Sequence, residues 1–304
     1  MLEKVKNLIT DLEQDNPGAE AVALYQNGEL LLSRHFVLDI PRLIYSHTKS
    51  YVSTLAGIAI DEGKLTLDTT LCSLFPEYDG VITDRRVKTI TLRHLLTMSS
   101  GFGGAFLMGA NRRKGEGMPD YLAYMIGKPL IYTPGEKFIY SNADTHLVGC
   151  MVQRAVGELL LSYAYRKLFE PMGMGFPGWE TDPAGTAFGG TGLYLRNEEM
   201  MKLGILYLQE GVWEGKRLVS PEWVREAGRK QIDTAHPDPW NSGYGYQFWM
   251  IPQKENAFRA DGAYGQFSLI FPAENAVVGI QSSETNDVNK LCAKIRWHLF
   301  GERV

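Results

Sequence analysis

Ile44-Tyr45-Ser46-His47-Thr48-Lys49-Ser50-Tyr51 runs straight into an apolar pattern, Val52, Leu55, Ala56, Ile58, Ala59 and Ile60, that stops at Gly63. Those positions recur at helical spacing, and a glycine just past the last of them is a C-terminal signal. Ser46 is therefore expected at the mouth of a helix. Lys49 projects from the same face one turn later, because residues three apart on a helix are about 5 to 6 Å apart at Cβ. A serine hydroxyl becomes a nucleophile when a neighbour takes its proton, and a neutral lysine within reach can do that. An unperturbed lysine titrates near 10.4, so a base active near neutrality needs a depression of roughly 3 units, about 4 kcal/mol, from burial and neighbouring positive charge. Taken alone, Ser-x-x-Lys is weak, since a chain with this many serines and lysines holds on the order of one chance match. The plain alternative is a solvated lysine on an ordinary helix.

The totals narrow the field. With 304 residues, 44% hydrophobic and 22% charged, the chain can bury a full core. Its net charge of −4 offers no basic field for nucleic acid. The three cysteines, Cys72, Cys150 and Cys292, are far apart and lack metal-ligand spacing, which predicts reduced thiols. His35, His94, His146, His236 and His298 likewise show no metal pairing. The charged start Met1-Leu2-Glu3-Lys4-Val5-Lys6 lacks a signal-peptide core, and no apolar run reaches membrane-spanning length. The expectation is a soluble cytoplasmic protein with no membrane or nucleic-acid partner, no metal and no cofactor.

Taken in order, Leu2, Val5, Leu8, Ile9 and Leu12 predict an amphipathic helix, followed by strands over 20–26 and 29–36 joined by Asn27-Gly28, a strong hairpin signal. Thr91 is a predicted N-cap for a helix reaching Met98. The Gly-rich and charged segment 102–119 reads as disordered or as a pocket wall. Tyr140-Ser141-Asn142 lies in a turn before a helix expected from about Thr145 to Val156. A phenol beside a cation can ionise more easily than usual and relay protons; the structural alternative is a buried tyrosine with Asn142 capping the helix. Asn197 and Ser220 are predicted N-caps, the latter with Pro221 at N1. Strands are expected over 244–251, 258–261, 266–271 and 277–281, with Tyr244, Tyr246 and Phe248 forming core or sheet surface, and a last helix over 287–300. Strands at both ends with helices between them predict an α+β fold: one antiparallel sheet assembled from both termini, flanked by helices, with an inserted mainly helical lobe. We expect one catalytic domain over 1–304, with a sheet lobe of 1–45 plus 241–304 and a helical lobe of 46–240 enclosing a cleft.

Ser46-x-x-Lys49, then Tyr140-x-Asn142, then Ala260-Asp261-Gly262-Ala263-Tyr264-Gly265-Gln266 together resemble the serine β-lactamase and penicillin-binding protein superfamily, nearest to its class C and esterase branches. Asp61-Glu62-Gly63-Lys64-Leu65, 95–101 and Tyr132-Thr133-Pro134-Gly135 resemble its connecting phrases. The resemblance implies a β-lactamase/transpeptidase-like fold in which Ser46 attacks an acyl carbon while Lys49 and Tyr140 manage its proton. It further implies that Asn142 holds substrate or orients Lys49, that the Ser46 and Ala263 N–H groups form an oxyanion hole, and that Asp261 and Gly262 belong to the substrate-binding strand. Such an oxyanion donor is worth roughly 3 to 4 kcal/mol in the transition state.

The third motif departs from the family. Where its lactamases and peptidases carry Lys-Thr-Gly or His-Thr-Gly, this chain reads Ala260-Asp261-Gly262, with Arg259 expected on the opposite strand face and Asp261 adding negative charge. The expected substrate is therefore a neutral carboxylic ester or small amide. A β-lactamase or D-alanyl-D-alanine carboxypeptidase-like protein is the alternative, and a non-catalytic ligand-binding protein of the same fold is the second alternative. No Gly-x-Ser-x-Gly elbow occurs, which disfavours the α/β-hydrolase route.

Overall fold

Helix α1 (Leu2–Gln14) leads into strands β1 (Ala19–Gln26) and β2 (Glu29–His35). Asn27 and Gly28 both take positive φ, 54° and 92°, a pairing that matches the twist of the flanking strands. The remaining strands of the main sheet come from the other end of the chain: β3 (Ile232–Asp233), β4 (Gly243–Tyr244), β5 (Trp249–Met250), β6 (Phe258–Gly262), β7 (Gln266–Phe271) and β8 (Ala276–Ser282). The computed structural model describes residues 1–302. In it these strands form one eight-stranded antiparallel sheet ordered β2-β1-β8-β7-β6-β5-β4-β3. The two chain ends meet where Val22 faces Ile280 and Leu24 faces Val278 across β1 and β8. The expected α+β sheet built from both ends is thus observed, and its last strand begins at Ile232, upstream of residue 241.

Strand alternation decides what covers each face. Val278 and Ile280 join Val5, Leu8 and Leu12 of α1 and Leu291, Ile295 and Leu299 of α5 (Val288–Phe300) in one apolar cluster. Val277 points the other way, into the larger cluster that holds α2 (Thr48–Asp61), α3 (Asn142–Val156) and α4 (Asn197–Leu208). Helix α2 is buried on all sides from Thr48 to Ala59, as a helix in the middle of a large core must be. Its polar side chains are satisfied locally: Ser50 and Ser53 donate to the carbonyls of Gln247 and Tyr246, each at 2.7 Å. No helix among the described residues is long and apolar enough to cross a membrane.

Several local expectations are corrected. Residues 244–251 are not one strand but two short ones, because Gln247 adopts φ 65° and turns its amide inward to the Leu95 and Leu96 carbonyls at 3.2 and 2.8 Å. Tyr244, Tyr246 and Phe248 are core residues as expected, but the break at Gln247 gives them separate neighbours: Tyr246 stacks on Trp223, Phe248 packs on Tyr207, and Tyr244 meets Trp249 edge-on. Helix α3 starts at Asn142, three residues before the expected Thr145, and Ser141 caps it by accepting the Ala143 N–H. Asn197 is the first buried residue of α4 and not its cap, while the Arg196 N–H donates to Glu199 at 2.9 Å.

Gly262 joins the sheet to the start of α2. A Cβ there would lie 2.2 Å from the Ile44 carbonyl oxygen and 3.2 Å from the His47 nitrogen, so β6 can approach the Ser46 turn only without a side chain. Gly262→Ala is expected to lower stability by about 1 to 3 kcal/mol through overpacking; an unchanged denaturant midpoint would contradict this close approach.

Candidate active site

Ser46 lies in a single 3₁₀ turn, Tyr45–His47, that feeds into α2. The preceding Tyr45 takes φ 49°, a left-handed conformation that a bulky residue adopts only when its surroundings hold it there. Its ring packs on Tyr264 at 5.0 Å and its hydroxyl donates to Glu284 at 2.8 Å. His47 turns inward, with Nε2 2.9 Å from Ser268 Oγ, and burial pushes its pKa down to about 3. It does not face the cleft.

Lys49 is 1% exposed. Its Nζ donates to Ser46 Oγ at 3.0 Å, Asn142 Oδ1 at 2.6 Å and the Gly190 carbonyl at 2.5 Å. All three acceptors are neutral, so burial is uncompensated and lowers the lysine pKa to about 7. Each acceptor has its own support. Because Ser141 takes the cap, Asn142 is free to point at the amine, and its Nδ2 donates to the Leu107 carbonyl at 3.2 Å. Gly190 reaches the amine because a Cβ there would lie 2.6 Å from Asn142 Cβ.

Tyr140 closes the other side of the serine. Its hydroxyl is hydrogen-bonded to Ser46, and its ring centroid is 4.9 Å from Lys49 Nζ. The ring stacks on Trp249 at 5.7 Å and 25°. Burial raises the phenol pKa well above its usual value, the Ser46 hydrogen bond opposes that, and Asp261 adds to it. This reverses the expectation of an easily ionised phenol: the nearby amine is itself desolvated and supplies no permanent charge.

Ser46, Asn142 and Ala263 line one cleft of about 670 Å3, joined by Met108, Arg113 and Glu284. Segment 102–119 thus forms a wall of the cleft, through Met108, Gly109, Ala110, Arg112 and Arg113. Arg112 donates to Glu180 at 3.0 Å and lies 3.8 Å over the Phe188 ring. Gly262 packs on the Ser46 turn, and Ala260 is buried. Asp261 accepts from Arg259 Nε at 2.9 Å, so the carboxylate expected to add charge is already paired. Arg259 is itself fully buried between Trp240 at 4.2 Å and Trp249 at 5.6 Å, and donates to the Trp240 and Met250 carbonyls. The sequence reading missed Trp249, Gly190 and the Arg112–Arg113 pair as site residues. The run Gly189-Gly190-Thr191-Gly192 was the available signal for a close backbone approach; Trp249 belongs to the aromatic cluster Trp240, Tyr244, Tyr246 and Trp249, whose sequence reads as core or sheet surface and not as a pocket wall.

Two of the histidines meet carboxylates from remote segments. His146 Nε2 lies 3.1 Å from Asp182 Oδ2 and 3.6 Å from Cys150 Sγ, and His35 Nε2 lies 2.8 Å from Glu198. The i,i+4 pairs His146/Cys150 and His35/Asp39 stand in the sequence, but the partners Asp182 and Glu198 that complete each cluster are remote, so spacing alone could not complete either one.

Lys49 titrates lower folded than unfolded, so between about pH 7 and pH 10 the unfolded state binds the extra proton and folding becomes more favourable as pH rises. In Lys49→Met that contribution disappears. The variant's unfolding free energy relative to wild type is expected to fall across this window in denaturant melts; a pH-independent difference would mean that the buried amine keeps its ordinary pKa.

The family profile described as Beta-lactamase matches residues 5–298. Esterase EstB of Burkholderia gladioli is 29% identical over 141 residues, which is 42% of this chain but only 36% of EstB. The 6-aminohexanoate-dimer hydrolase of Paenarthrobacter ureafaciens is 24% identical over 91% of this chain and 76% of its own length. Among solved structures, EstCE1, a hydrolase with promiscuous acyltransferase activity, superposes with a TM-score of 0.77 at 17% identity, covering 99% of this chain and 98% of its own. The match runs through both halves of the sheet and all three motif regions, and the chain belongs to the beta-lactamase family.

Proposed function

We propose that the protein is a serine acyl hydrolase that cleaves a carboxylic ester or small amide through a Ser46 acyl-enzyme. The observation that carries this reading is the contact of Ser46 Oγ with a lysine amine at 3.0 Å whose pKa burial lowers to about 7. A base poised near the working pH is the most effective kind. The Lys49 lone pair takes the Ser46 proton as Oγ bonds to the acyl carbon, and the carbonyl π pair moves onto oxygen. The N–H groups of Ser46 and Ala263 receive that oxyanion. When it collapses, the bond to the leaving group breaks, and the Tyr140 hydroxyl gives that group its proton and regains one from the Lys49 ammonium. Water then attacks the acyl carbon while Lys49 takes its proton, and as the bond to Ser46 Oγ breaks the Lys49 ammonium returns that proton to Oγ, releasing the acid and restoring Ser46. Asn142 and Gly190 hold the amine in line; Asp261 and Gly262 shape the sheet side of the cleft.

A neutral substrate is supported by Ala260, where no cation faces the cleft, and by Asp261 being engaged with Arg259. Relatives named esterase and 6-aminohexanoate-dimer hydrolase support this reading. Arg113 supports a second reading, since an exposed cation on the cleft wall suits a substrate carboxylate, as in β-lactams or peptides ending in D-alanine.

A p-nitrophenyl acetate or butyrate assay is expected to give a burst followed by turnover, with fluorophosphonate labelling of Ser46. Ser46→Ala should abolish both; retained turnover would reject Ser46, and an unlabelled wild-type protein would favour the non-catalytic alternative. Slow or absent cleavage of a chromogenic cephalosporin is expected, and rapid cleavage would favour the second reading. The rate should rise as Lys49 loses its proton through about pH 7, and Tyr140→Phe should lower it by a factor of roughly 10² to 10⁴. An unchanged rate in that variant would leave Tyr140 with a structural role alone.

A further inference from the structure

Outside the cleft, one cluster holds three side chains of metal-binding chemistry. His146 and Cys150 lie one turn apart on α3, and Asp182 arrives from the segment ahead of Gly189. All three are buried, and one ligand atom from each lies within 4.8 Å of the others. Cys150 and Asp182 also line a second cleft, of about 560 Å3, together with Tyr78, Asp120 and Arg154. A path from solvent therefore reaches Cys150 and Asp182.

From these residues we propose a zinc site, formed by His146 Nε2, Cys150 Sγ and Asp182 Oδ2 with the fourth position open to that second cleft. The geometry is what carries it. Zinc bonds of about 2.0 Å to nitrogen, 2.1 Å to oxygen and 2.3 Å to sulfur in a tetrahedron put nitrogen about 3.5 Å from sulfur and about 3.3 Å from oxygen. The protein holds those pairs at 3.6 and 3.1 Å. The mixed nitrogen, sulfur and oxygen set suits zinc better than a hard cation, which prefers oxygen alone.

The surrounding contacts hold the ligands in place. Asp182 Oδ1 accepts the Thr186 N–H at 2.8 Å, which leaves Oδ2 turned toward His146. Phe188 packs on the imidazole at 4.9 Å and fixes its plane. One contact opposes binding: the Gly189 N–H meets His146 Nδ1 at 3.5 Å. With zinc on Nε2 the neutral ring carries its proton on Nδ1, so this long contact must open. The thiol proton leaves to solvent on binding, because the thiolate is the ligand. Without a metal the same three groups form a hydrogen-bonded cluster, which is the competing arrangement.

Metal-stripped protein titrated with Co²⁺ tests the choice. A thiolate-to-cobalt charge-transfer band that saturates near one equivalent and is bleached by Zn²⁺ is the expected result. Cys150→Ala and Asp182→Asn should lose or weaken it, while Cys292→Ala keeps it. Should the Cys150 variant fold poorly, the wild-type protein still decides: Zn²⁺ should slow maleimide labelling of Cys150 at least tenfold without protecting Cys292. Absence of the band in wild type, an undiminished band in folded Cys150→Ala, or Cys150 labelling indifferent to Zn²⁺ would each overturn the proposal and leave the hydrogen-bonded cluster.

Discussion

A lysine amine buried against three neutral acceptors is the constraint on which the rest of this structure rests. Ser46 Oγ, Asn142 Oδ1 and the Gly190 carbonyl each occupy one donor direction of Lys49, and each comes from a different part of the chain. With no carboxylate bonded to it, the amine faces the desolvation penalty directly and settles it by losing its proton near neutrality. A carboxylate in place of Asn142 would restore the charge and remove the lone pair on which a base depends. Helix α2, buried all round in the core, keeps water from the amine and so lowers its pKa.

The charges near the serine are divided with the same economy. Burial lowers the amine pKa and raises the phenol pKa, so the two groups on either side of Ser46 are shifted in opposite directions, which is the division that the proposed base and acid require. The cation absent at Ala260 is present one residue earlier, as Arg259, yet strand alternation turns it to the opposite face of the strand. There Asp261, two carbonyls and the rings of Trp240 and Trp249 absorb it. Trp249 lies between this guanidinium and Tyr140, so Arg259 contributes by fixing the aromatic wall on which the phenol rests.

Two elements tie the cleft to the second cluster. Helix α3 carries Asn142 at its start and His146 and Cys150 further along, while the segment opposite carries Asp182 and then Gly190. The His146–Asp182 contact pins one end of this strip of backbone to α3, and the Lys49–Gly190 contact pins its other end to α2. Rigidity at one end of this strip limits how far the Gly190 carbonyl can drift from the amine at the other.

Much of this was legible in the letters. The helix after Ser46, the Asn27-Gly28 hairpin, the terminal helices and the α+β sheet drawn from both ends follow from apolar periodicity and turn chemistry, which are local properties of the chain. The Ser46–Lys49 contact belongs to that class, since helical spacing alone sets two side chains three residues apart on one face. What the sequence could not supply is every contact made between remote segments: the burial that shifts Lys49, the stack of Trp249 on Tyr140, the pairing that neutralises Asp261, the turn at Gln247 and the meeting of His146 with Asp182. Periodicity says which face of an element is apolar but not which other element covers it, and the pKa of a buried group depends on that covering alone.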